Sequence, residues 1–167
     1  MNLEEALLKE HSKKQCSYIV AYIGNDKTRF GALMKLFFAG EYRVTQRAAW
    51  PMSYCVRAHP ELIRPFIKPL LDNLEKANLH DAVIRNTVRL LQDLEIPKKF
   101  HGRLMNLCFE YIQSNDTAVA IKAFCLTILE KLALTYPEIV PEIKLIVNER
   151  WDHETSAFRT RAKRFRS

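Results

Sequence analysis

Five basic residues crowd the end of the chain: Arg159, Arg161, Lys163, Arg164 and Arg166. Cations at that density suit a polyanion, because each phosphate they neutralise releases condensed counterions and makes binding salt-dependent. Residues 150–167 hold six basic and two acidic side chains, so more than half of the net charge of +7 lies in about the last tenth of the sequence. At helical spacing Phe158, Ala162 and Phe165 form one narrow apolar stripe. Arg159, Lys163, Arg164 and Arg166 fan over the remaining surface, with Arg161 beside the stripe. These five are the candidate polyanion-binding residues. The same pattern also suits a closing helix, whose outer face must be polar to keep a stack of helices soluble, and that structural use is the preferred one.

A second basic series, Lys14, Arg47, Arg85, Lys122 and Arg161, recurs at intervals of 33, 38, 37 and 39 residues beside apolar stripes. A half-buried cation in such a place is expected to meet a carboxylate or the carbonyls of a helix C-terminus. Trp50 and Trp151 are the two indoles, the first expected to pack in a core and the second to lie in a connection before Asp152.

Catalytic patterns are thin. His11, His59, His80, His101 and His153 stand singly, without HExxH or a Cys/His cluster, so no metal is expected. His59 and His80 fall at helix boundaries, where capping or exposure explains a histidine more often than general-base work. No GxSxG or GxxxxGK[ST] occurs, which disfavours nucleotide hydrolysis, and no catalytic or cofactor-binding residue is assigned. Cys16, Cys55, Cys108 and Cys125 have no CxxC spacing and sit in apolar periodic segments, as reduced core residues do. The longest notable apolar stretch, Tyr18–Ile23, is far below the roughly 20 residues that cross a bilayer, and the acidic start lacks a signal pattern. A soluble, cytoplasmic protein without a membrane partner is expected.

The elements that must position these residues are helices. Apolar residues recur at helical spacing in nearly every segment, as in Phe100, Leu104, Leu107, Cys108 and Tyr111. With only four glycines, a strand-rich fold would lack turn residues. Gly24 and Gly40 stand where glycines close helices, and Pro60, Pro97 and Pro137 where prolines open them. Nine helices follow, at about 2–22, 27–39, 42–58, 60–77, 80–94, 97–113, 116–135, 137–150 and 154–165. Short connections make consecutive helices antiparallel neighbours. Pro51 is expected to kink the third helix, and Pro65 and Pro69 either kink the fourth or delay its start to about Pro65.

The hairpins repeat. His59-Pro-Glu61, Ile96-Pro-Lys98 and Tyr136-Pro-Glu138 recur after 37 and 40 residues, close to the period of helical solenoids. With the basic series, and with Val44-Thr-Gln-Arg-Ala-Ala-Trp50 followed by a proline-opened helix, the chain resembles the HEAT repeat family over about residues 2–165. The resemblance implies an all-α, α-α superhelix of about four antiparallel helix pairs plus a C-terminal capping helix, as a single domain over 1–167. No aspartate recurs to partner the basic series, a departure that puts a salt-bridge ladder between repeats in doubt. The resemblance specifies architecture and hardly any activity. It favours a non-catalytic scaffold or interaction module binding a protein or peptide. The second reading is a nucleic-acid-binding protein related to HEAT-like DNA alkylation repair proteins, although their lesion-binding residues cannot be placed on this chain. Fumarase-type and adenylosuccinate lyase-type enzymes are also helical. They are far longer and carry a Met-Pro-x-Lys-x-Asn loop that Pro51-Met-Ser-Tyr54 does not reproduce, so a lyase is not supported.

Overall fold

Where the sequence leads one to expect a single first helix over 2–22, two form, because Ser12 is extended and its hydroxyl accepts the amide of Gln15 at 3.1 Å, starting a new helix. The computed structural model describes residues 1–166 and holds no strand among them. Its α-helices are α1 (Leu3–Lys9), α2 (Lys13–Ile23), α3 (Lys27–Ala39), α4 (Tyr42–Ala58), α5 (Ile67–Leu74), α6 (Asp81–Leu91), α7 (His101–Gln113), α8 (Val119–Thr135), α9 (Val140–Arg150) and α10 (Ser156–Ala162). The count is therefore ten rather than nine among the described residues. The chain divides into two compact units, residues 1–73 and 74–167.

In the first unit α4 packs on α1, α2 and α3. Phe30, Leu33, Met34 and Phe37 of α3 and Met52 and Cys55 of α4 are buried at its centre. Gly24 closes α2 with φ +51, a left-handed backbone that a side chain would strain. Gly40 closes α3 for a different reason. Its φ is an ordinary −71, but a Cβ there would lie 2.4 Å from the carbonyl oxygen of Leu36 and 3.0 Å from Val44. α4 continues through Pro51, which lies inside the helix. The segment opened by Pro60 winds as a 3₁₀ helix to Phe66 and becomes α-helical at Ile67, so the α-helix starts just past Pro65 and ends at Leu74 rather than 77.

In the second unit α8 is the central element and packs on α6, α7 and α10. Its face from Ile121 through Cys125, Ile128 and Leu132 is buried, as the apolar spacing demands. α10 docks on it through Phe158 and Ala162, followed by Phe165 in the next 3₁₀ turn. Remaining helix ends fall within a few residues of the expected ones, with α6 at Asp81–Leu91 and α8 starting at Val119.

Helices about one repeat apart are joined by cations resting on C-terminal carbonyls. Arg47 donates through Nη1 to the carbonyls of Leu7 and Leu8 at the end of α1, both at 3.0 Å. Lys131 of α8 donates to the carbonyl of Gln92, which follows α6. Arg150 donates to the carbonyl of Gln113 at the end of α7 at 2.8 Å. These oxygens have no partner inside their own helices and carry the negative end of the helix dipole, so a cation satisfies both needs. At Arg47, the member of the basic series among these three, backbone oxygens take the place of an aspartate.

Candidate functional site

The basic C-terminal element is built from its apolar side outward. Thr155 caps α10, its hydroxyl 3.5 Å from the Phe158 amide, and burial of Phe158, Ala162 and Phe165 fixes the rotation of the helix. The cations are left on two flanks. On one, Arg159 donates to the carbonyl of Trp151 at 2.8 Å, and the guanidinium of Arg166 lies 4.2 Å from the centre of the Trp151 ring. On the other, Arg161 donates to Thr127 Oγ1 of α8 at 2.6 Å and Arg164 pairs with Glu130. Lys163 is exposed between them. The five candidate polyanion-binding residues thus do not converge. Arg159 and Arg166 are folded onto their own connection, while Arg161 and Arg164 reach across to the neighbouring helix.

Beneath them lies a buried ionic cluster. Glu154 accepts from Lys122 Nζ at 2.6 Å and from Arg150 at 2.7 and 2.8 Å, and the side chains of Glu154 and Lys122 are only 5% and 3% exposed. Burial pushes the Glu154 carboxyl up, but the hydrogen bonds and positive charges of Lys122 and Arg150 outweigh it and hold the group below the ordinary carboxylate range. Arg150 also reaches the side chain of Asn115 at 3.1 Å, so one carboxylate gathers α8, α9 and the connections before α8 and α10.

The recurring basic series has no common environment. Lys14, Arg85 and Arg161 are exposed, Arg47 is half-buried on its carbonyls, and Lys122 is buried on Glu154. Arg47 and Lys122 do find the carbonyl and carboxylate partners expected of them.

Trp50 is half-buried, 5.3 Å from His11 in ring centres, beside a recess lined by Leu7, Gln15, Cys16, Arg47 and Pro51. The recess has room for about one water molecule. His80 caps α6 by accepting the Ala82 amide at 3.1 Å, as its boundary position implies. In His101, Nε2 faces the Ile96 carbonyl at 2.8 Å and must donate, leaving Nδ1 to accept from the Tyr136 hydroxyl at 3.1 Å. Its tautomer is set by structural bonds. All four cysteines are buried free thiols.

Sequence reasoning missed the role of Glu154. Its spacing of four from Arg150 was the available signal, but its pairing with Lys122, 32 residues away, is tertiary.

Against known families, the HEAT repeat domain model matches residues 3–165. The chain belongs to the HEAT repeat domain family, and that membership suggests a helical-repeat scaffold or interaction module. Neither the curated proteins nor the solved structures yield a match. No helix among the described residues is long and apolar enough to cross a membrane.

Proposed function

We propose that the chain acts as one array over residues 1–167, a non-catalytic scaffold that holds a protein or peptide partner. The supporting observation is the set of cations seated on helix C-termini at one-repeat separations, Arg47, Lys131 and Arg150. Such bonds fix helix faces before any partner arrives, and a preformed surface avoids much of the ordering cost of association. The four buried thiols support a reducing, cytoplasmic setting. Titration calorimetry of the purified chain against peptides selected on it tests the reading. Saturable binding with the peptide recovered unchanged is expected, and turnover of the bound molecule overturns it.

The second reading, nucleic-acid binding, draws on the exposed Arg161, Lys163 and Arg164. Mobility shifts that fall steeply with salt and vanish on deleting 157–167 support it, and no shift at low salt ends it.

A further inference from the structure

Outside the C-terminal element, the second unit carries a charged face that the five candidate residues only touch. α6, α8 and α10 lie side by side, and contacts on their solvent side join them: Lys131 to the Gln92 carbonyl, Arg161 to Thr127 and Arg164 to Glu130. Thr127, Lys131 and Leu134 stand at helical spacing along the outward stripe of α8, and Arg85 and Arg89 are exposed on α6. Acidic residues near this face are Glu130, already engaged by Arg164, Asp81 at the start of α6, Asp93 and Glu95 just beyond its end, and Glu138 in the turn after α8. Leu134 is 86% exposed, the most exposed of the chain's large apolar side chains.

We infer that this face, which carries Arg85, Arg89, Lys131, Arg161 and Arg164 and ends at Leu134 in the last turn of α8, docks an acidic peptide segment that carries an apolar side chain. The inference rests on the scaffold reading and names the partner's chemistry. The cations complement carboxylates, and Leu134 offers an apolar contact with no counterpart in a phosphate ribbon. A single strand of nucleic acid would need open aromatic platforms, but Phe124 on this stripe is half-buried and Arg166 covers Trp151. The face also lies mostly off the terminal helix, so deleting 157–167 alone would leave Arg85, Arg89, Lys131 and Leu134 in place.

The test uses the full chain and a fluorescein-labelled peptide of repeating Glu-Glu-Leu, read by anisotropy, with a Glu-only peptide and an oligonucleotide of equal charge as competitors. Replacing all four cations together (R85E, R89E, K131E and R161E) is expected to weaken the peptide about tenfold or more, because each reversal turns an attraction into a repulsion. Leu134→Ser is expected to weaken the Glu-Glu-Leu peptide and leave the Glu-only peptide unchanged. Circular dichroism melting checks that each variant folds, and K98E/K99E controls for net charge. Binding lost equally in K98E/K99E, or untouched by Leu134→Ser, overturns this placement while leaving the scaffold reading intact. An oligonucleotide that binds while neither peptide does overturns both.

Discussion

The Glu154 cluster gives the sharpest measurable consequence. Glu154→Gln keeps the side-chain volume but leaves the Lys122 ammonium, 3% exposed, without a counter-charge. Removing one partner of a buried pair costs about 3–5 kcal/mol, and the retained amide hydrogen bond places the expected loss near the lower end. Lys122→Met keeps the aliphatic stem and leaves Glu154 with Arg150, so its expected cost is smaller, about 1.5–3 kcal/mol. The order is therefore fixed by geometry: the carboxylate has two cationic partners and the ammonium has one. A unit of this size shifts its melting temperature by about 4–8 °C per kcal/mol, so Glu154→Gln is expected to lower it by roughly 12 °C or more. Trp151 lies in the same unit and Trp50 in the other, so in a Trp50→Phe background indole fluorescence follows the second unit alone. The pH dependence has a definite sign. A carboxyl held below its ordinary range contributes stability that is fully present above the unfolded-state pKa of about 4.3 and is lost as pH falls through the folded value. The gap between wild type and Glu154→Gln should thus narrow on acidification below that point. A Glu154→Gln cost under about 0.5 kcal/mol, or Lys122→Met as the more costly change, would refute the reasoning.

Three further outcomes follow from other parts of the molecule. Gly40→Ala should destabilise the first unit by about 1–3 kcal/mol, whereas Gly102→Ala, inside α7 with nothing within 4 Å of its Cβ, should stabilise by about 0.5–1 kcal/mol in denaturant titration. Arg47→Ala removes the donor to two carbonyls of α1, and hydrogen exchange should show α1 amides opening faster while those of α3 change little. Burial pushes the Cys55 thiol up to about 12 and raises those of Cys16 and Cys108, so a disulfide reagent at pH 8 should modify these three only as fast as the protein unfolds.

Helix identity was legible because periodic apolar residues need only local geometry. Phe158, Ala162 and Phe165 are four and three residues apart, and any helix puts them on one side. Splitting of the first helix was also written locally, in Ser12, but the apolar spacing across the break masked it. Gly40 shows a different limit: its place at a helix end could be read, whereas the reason only glycine fits, the approach of Leu36 and Val44, required coordinates.

What the sequence by itself determined is the all-α class, the repeat near 40 residues and the concentration of base at the C-terminus, since each depends on residue type and spacing along the chain. The tertiary structure alone decided what each charge does. Lys122 and Arg161 occupy matching places in the sequence register, yet one is buried on Glu154 and the other lies exposed against Thr127. A cation's role depends on which carbonyl, carboxylate or water lies within a few ångströms, and for these two that neighbour comes from a segment more than 30 residues away in the chain.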